Sequence, residues 1–263
     1  MMPAATTTGW VLHDGWVVMQ RHLLHIRRVP QLLFFSAIQP VVFMLLFASV
    51  FGGAIQVSGG LSYEAFMVPG TFVQTMAFAG AATSVGLADD LRGGFIDRYR
   101  SLPMSPSAVL AGRMVADGVR NLAVIVALAS AGHLVGFRFT SGPLEILGGL
   151  ALLLMFGFAF SCLGAVIGLA ARTPEAAQMA ATVWMMPLIF MSSAFVPLDK
   201  LPGWLRVWAD HSPVTATVDA MRALFFDYGD ATEPILMGLA WYTGLAVVFL
   251  PLAVRLFHRA ASK

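Results

Sequence analysis

Charge is the property this chain is shortest of. Only 11% of its 263 residues are Asp, Glu, Lys or Arg, while 58% are apolar and the mean hydropathy is +0.79. Soluble domains carry about a quarter charged residues, so the composition is that of a membrane protein. Cysteine is nearly absent as well. The one present, Cys162, sits in an apolar run, cannot form an internal disulfide, and reads as a small packing residue. No G-x-x-x-x-G-K-[ST] run is present to cradle a nucleoside triphosphate. No H-E-x-x-H or G-x-S-x-G occurs, and the six histidines are scattered without metal-ligand spacing. The arginines form no basic stripe, which excludes a nucleic-acid footprint. Acidic residues are missing from the depths of the apolar runs, where proton-driven carriers place them. A protein of this kind needs an outside source of energy.

What is present is a series of long uncharged runs. They predict six transmembrane helices at about 31–51, 65–88, 114–136, 146–171, 176–196 and 234–255, since roughly 20 apolar residues span the hydrocarbon. The fold class expected is therefore an all-α membrane protein, with a transmembrane domain over 31–257. The third span is the weakest. Its uncharged part is bracketed by Arg120 and Arg138, which snorkel to opposite interfaces, and Arg113 and Asp117 are spaced to pair at i and i+4. The second span is rich in small residues over Gly80, Ala81, Ala82, Ser84 and Gly86, which permits close helix contact. Thr173 followed by Pro174 has the form of an N-cap and first helical residue.

Two amphipathic stretches lie outside the spans. From 10 to 28, Leu12, Trp16, Met19, Leu23 and Ile26 form one apolar stripe, and Asp14, Arg21, His25 and Arg28 fall elsewhere, which suits a helix lying in the membrane surface. From 197 to 230, Trp204, Leu205 and Trp208 make one short apolar face, and Ala220, Leu224 and Phe225 another, with Asp219 and Arg222 on the polar side. Ser212-Pro213 breaks the two, giving an interfacial or re-entrant helical hairpin. Residues 1–9 lack the basic flank and cleavage site of a secretory signal, so the N-terminus is expected to be retained.

Lys and Arg set the orientation. With the N-terminus inside, twelve of them fall on the cytoplasmic side, and Arg138, Lys200, Arg206 and Arg222 on the other. Both termini are then cytoplasmic. So is the loop 89–103, which gathers six charges into the twelve residues from Asp89 to Arg100. Within it Gly93-Gly94 breaks the preceding helix and Pro103 ends a short one. Phe95, Tyr99 and Leu102 share an apolar face, and Asp97, Arg98 and Arg100 remain for polar pairing. This face fits the groove of a soluble partner, the alternative being a solvated or headgroup-facing loop.

Several ordered motifs then converge: Asp97-Arg-Tyr-Arg-Ser-Leu-Pro103, Phe195-Val-Pro-Leu198, Leu201-Pro-Gly-Trp-Leu205, His211-Ser-Pro-Val214 and Asp219-Ala-Met-Arg222. Together they resemble the type-2 ABC exporter permeases, in the daunorubicin-resistance-like branch, over essentially the whole chain. His211 departs from the asparagine common at that position. The resemblance implies a bacterial plasma-membrane subunit that pairs with a second permease subunit, identical or similar. It also implies a separate cytoplasmic ATPase that binds ATP and magnesium, with no cofactor on this chain. It makes 89–103 a coupling loop, 10–28 a connecting helix, and 197–230 paired extracellular re-entrant helices, and it implies export of amphipathic drugs, antibiotics or lipids.

For the substrate path, the polar residues deep in the spans are Gln39, Gln74, Thr75, Gln178, Thr182, Ser192 and Ser193. Helix–helix hydrogen bonds compete with substrate contact as their role. Phe43, Phe78 and Met186 would suit a flat or greasy cargo, or face lipid. The readings in competition are lipid or glycan-precursor export by the same fold, and a non-transport membrane protein such as a scaffold or an intramembrane protease. For the last, Ser161 and His133 are the only loose candidates.

Overall fold

The computed structural model describes residues 30–51, 61–94, 106–134, 138–171 and 173–261. The expected surface helix at 10–28 lies outside the described residues, as do Phe95, Asp97, Arg98, Tyr99, Arg100, Leu102 and Arg172. Among the described residues every regular element is helical: α1 (Pro30–Phe51), α2 (Tyr63–Arg92), α3 (Pro106–Leu134), α4 (Pro143–Ala170), α5 (Pro174–Phe190), a 3-10 turn (Leu198–Lys200), α6 (Gly203–Asp210), α7 (Pro213–Phe226) and α8 (Thr232–Ala261). Among the described residues three stretches are long and apolar enough to cross a membrane: Ala65–Arg92, Pro143–Ala170 and Thr232–Ala260.

The helix ends follow the local chemistry. Ser62 caps α2, its hydroxyl accepting from the Ala65 N–H at 3.3 Å, and Gly93 returns its N–H to the Asp89 carbonyl. Gly94, at φ 66°, then turns the chain away in the left-handed region that glycine enters without strain. Thr173 caps α5 as expected, accepting from the Ala176 N–H at 3.2 Å, with Pro174 in the first turn. Glu145 reaches back to the Gly142 N–H at 2.7 Å and opens α4.

At the centre of the bundle, α2 packs along α4 without side chains between the backbones. A Cβ on Gly164 would lie 2.0 Å from the Gly80 carbonyl oxygen, and one on Gly168 2.2 Å from that of Ser84. Small residues let the helices approach this closely, and dispersion takes over where hydrophobic driving force is weak. The small-residue stretch read in the sequence is this seam. Around it Phe156 and Phe160 stack at 4.2 Å, and Met67, Met76, Leu153, Met185 and Ile189 are fully enclosed.

Helix α7 is wedged among α2, α4 and α8. Residues 212–218 are all buried. Phe225 meets Phe72 of α2 edge-on at 6.3 Å and fills the space left by Gly149 of α4, and its carbonyl accepts from the Thr140 N–H at 3.1 Å. Thr217 shares a 2.6 Å hydrogen bond with Tyr242 of α8. At the other end of α7, the Trp241 indole donates to the His211 carbonyl at 3.0 Å. Trp241 lies nine residues after Thr232, so the α6–α7 turn sits about 14 Å along α8 from its start, at 1.5 Å per residue.

α3 starts at Pro106, so the span expected from 114 is the later part of a longer helix that also carries Arg113. Two expectations shift. α5 stops at Phe190, short of the expected 196, because Pro187 lies in its last turn and the Met191 N–H closes the helix on the Pro187 carbonyl at 2.8 Å. Arg113 and Asp117 do not pair with each other, because their partners come from α2 and from the next turn of α3.

Candidate functional site

The polar chemistry of this apolar molecule collects at the two ends of α2. At the Tyr63 end stands Arg222, read in the sequence as the polar side of a short helix and here only 2% exposed. Its Nε and Nη2 donate to the Phe66 carbonyl at 3.1 and 3.0 Å. Nη2 also donates to the Ser193 carbonyl at 2.7 Å, and Nη1 to Asp219 at 2.7 Å and to Ser193 Oγ at 3.2 Å. The guanidinium lies 3.4 Å from the centre of the Phe66 ring. A buried charge persists only when it is paired and hydrogen-bonded in this way.

The local sequence explains why acceptors wait there. The break after Pro187 leaves the carbonyls of 193 and 194 without helical partners. Gly70 lets that segment lie against α2, since a Cβ there would stand 2.1 Å from the Ala194 oxygen. Ser193 donates its N–H to Thr215 Oγ1 at 3.1 Å and its hydroxyl to Asp219 at 2.9 Å, and the Tyr63 hydroxyl donates to the Phe195 carbonyl at 3.2 Å. One arginine thus ties together α7, the start of α2 and the end of α5.

At the Arg92 end a second group joins α2 to α3. Arg113, 9% exposed, pairs with Asp90. The path of its side chain is opened by Gly86, where a Cβ would lie 2.1 Å from Nη2. One and two turns deeper, the Thr83 hydroxyl donates to Asp117 at 2.8 Å, Asp117 pairs with Arg120 at 3.3 Å, and Arg120 reaches the Ala79 carbonyl at 3.4 Å. On the surface Arg92 stands 3.8 Å from Glu175, relating the last turn of α2 to the first of α5. These groups flank the loop that carries Phe95, Asp97, Arg98, Tyr99, Arg100 and Leu102.

The path residues named from the sequence are spread over three helices. Gln39 is exposed on α1, and Gln74 is half-buried on α2. Thr75 is buried and donates to the Thr71 carbonyl at 2.7 Å. Gln178 and Thr182 come together on α5, Nε2 donating to Oγ1 at 3.1 Å. Ser192 is buried in the turn that ends α5, donating to the Ile189 carbonyl and accepting from the Ala194 N–H. Phe43 meets Phe195 edge-on at 5.5 Å, and Met186 is exposed. Ser161 and His133 are not brought together. The Ser161 hydroxyl lies 3.4 Å from Thr83, about 27 Å along α4 from Pro143, while exposed His133 bonds Arg138 near that helix's start.

Comparison with known proteins decides between the remaining classes. The family model described as ABC-2 type transporter matches residues 14–226. The chain belongs to the ABC-2 type transporter family. The permease is 32% identical over 260 residues to the daunorubicin resistance ABC transporter permease protein DrrB1 of Streptomyces coeruleorubidus, covering 97% of this chain and 88% of that one. It is also 28% identical over 204 residues to the doxorubicin resistance ABC transporter permease protein DrrB of Mycobacterium tuberculosis (strain ATCC 25618 / H37Rv), covering 74% of this chain and 68% of that one. It is a type-2 ABC permease of the daunorubicin-resistance-like branch, and the likeness runs through both ends of α2.

Proposed function

We propose that this permease is the membrane subunit of an exporter that moves an amphipathic drug or antibiotic out of the cell, driven by a separate cytoplasmic ATPase. The observation that carries this reading is the match along 97% of the chain to a permease named for daunorubicin resistance. ATP and magnesium belong to the partner, and a second permease subunit completes the path. In this reading the chain has six spans, both termini and the 89–103 loop are cytoplasmic, and residues 197–230 lie on the outer side. The depth of the α6–α7 turn along α8 supports re-entry of that pair into the outer leaflet. The exposed face of Trp204, Val207 and Trp208 suits lipid headgroups.

Docking is assigned to Phe95, Tyr99 and Leu102 as an apolar face, with Asp97, Arg98 and Arg100 around it. The part-buried Asp90–Arg113 pair supports this by tying the end of α2 that leads into the loop to α3. Gln39, Gln74, Thr75, Gln178, Thr182 and Ser192 remain the residues proposed to meet substrate along the path, of which Gln39 and Gln178 are open at the surface of the single subunit. The test is ATP hydrolysis by the permease–ATPase complex in vesicles, titrated with amphipathic drugs and with lipids. Stimulation by drugs is the expected result. Stimulation by lipids alone turns the reading to lipid export, and failure of any ATPase to associate removes it.

A further inference from the structure

Resting on the exporter reading above, we propose that Arg222 is a positioning residue that makes the outer α6–α7 segment move with α2, whose other end is tied to α3 on the ATPase side. Three observations meet in this assignment. The first is where the guanidinium bonds go. They reach out of α7 to the Phe66 carbonyl of α2 and to the Ser193 carbonyl and hydroxyl beyond α5, and only the Asp219 contact stays within α7. The second is the close seating of the 193–195 segment on α2, which Gly70 permits. The third is the far end of the same helix, where Asp90, Thr83 and Ala79 hold Arg113, Asp117 and Arg120.

Phe66 and Asp90 are 24 residues apart on one continuous helix, about 36 Å. A buried guanidinium that loses its acceptors is strongly penalised. Separation of α7 from the start of α2 is therefore the costly motion, and displacement of the two together is the cheap one. The α6–α7 segment is tied to α8 by two neutral hydrogen bonds, Thr217 with Tyr242 and the Trp241 indole with the His211 carbonyl, together with apolar packing, and neutral bonds are cheaper to exchange than those of a buried guanidinium.

The experiment uses the intact permease–ATPase complex with one reporter, His211→Cys, at the exposed α6–α7 turn. Cys162, fully buried, stays silent. The labelling rate with a membrane-impermeant maleimide is measured without nucleotide and with ATP plus vanadate. A nucleotide-dependent change of about fivefold or more is expected, the lower range of coupling between distant sites. Arg222→Gln is expected to abolish the change while ATP hydrolysis persists. An Arg222→Gln complex that still shows it overturns the proposal. So does a parent complex that hydrolyses ATP with unchanged labelling. A merely structural arginine would alter the unfolding midpoint and leave the nucleotide response intact. If Arg222→Gln does not fold, Arg222→Lys, which keeps the charge but gives up the forked contacts to Phe66 and Ser193, takes its place, and loss or retention of the response is read in the same way. A chain that binds no ATPase defeats the exporter reading itself, an outcome distinct from all of these.

Discussion

Replacing Arg222 by methionine keeps much of the side-chain volume and deletes every N–H that the surroundings were built to accept. The Phe66 and Ser193 carbonyls and the Ser193 hydroxyl lose charge-assisted partners in a site that is 2% exposed. Each buried acceptor left unpaired costs about 1–3 kcal/mol, and breaking a buried ion pair costs about 3–5 kcal/mol overall. Asp219 recovers part of this because its side chain is 33% exposed and rehydrates. A net loss of about 3–5 kcal/mol is expected, with Phe66 losing its cation contact as well. Asp219→Asn leaves the arginine its carbonyls but removes the counter-charge of a buried guanidinium, and about 3–5 kcal/mol is expected for it. The assay is reversible unfolding of the purified permease in mixed detergent, comparing the two variants with the parent. If Arg222→Met is as stable as the parent, the carbonyl cluster is not what holds α7, and if Asp219→Asn is, the buried guanidinium does not depend on its counter-charge.

Other perturbations follow the same physics. Gly164→Ala pushes a methyl into the Gly80 backbone, which has no side chain to give way, and should cost about 1–3 kcal/mol in the same unfolding assay. Gly244→Ala meets nothing within 4 Å inside a helix and should be neutral or stabilising by up to about 1 kcal/mol. Asp230 is held below the usual carboxylate range by the Thr232 backbone N–H and then its hydroxyl. Its contribution is therefore present above its ordinary value of 3.8 and fades as pH falls below that. Asp230→Asn should flatten the acid limb of the stability–pH profile. Phe95→Ala with Tyr99→Ala should abolish co-purification of the ATPase while leaving the permease folded, and a complex recovered in normal yield would remove the docking assignment.

The span helices were legible because a run without charge has one comfortable environment, and Ala65–Arg92, Pro143–Ala170 and Thr232–Ala260 needed nothing more. The α2–α4 seam was legible from its small residues. Arg222 was not. A short helix with Asp219 and Arg222 three apart reads as surface, and the acceptors that bury it come from Phe66 and Ser193, far away in sequence. The available signal was indirect: Pro187 and the serines after it mark a helix that must stop and leave carbonyls behind. Arg113 was misassigned for a related reason. The i, i+4 spacing to Asp117 is visible along the chain, whereas the partnership with Asp90 depends on Gly86 clearing a path between helices. The path residues were recognised by type alone, and each of Thr75, Thr182 and Ser192 satisfies its hydroxyl within its own helix or turn.

The central claim is that this subunit moves its cargo only when a separate ATPase grips the loop between α2 and α3. The direct measurement is ATP-dependent accumulation of a fluorescent amphipathic drug in inside-out vesicles holding the complex, with the parent loop or with Phe95→Ala and Tyr99→Ala. Uptake that requires ATP and the ATPase, and disappears with the altered loop, is the expected result. Uptake that continues without the ATPase, or with the loop altered, would contradict the account.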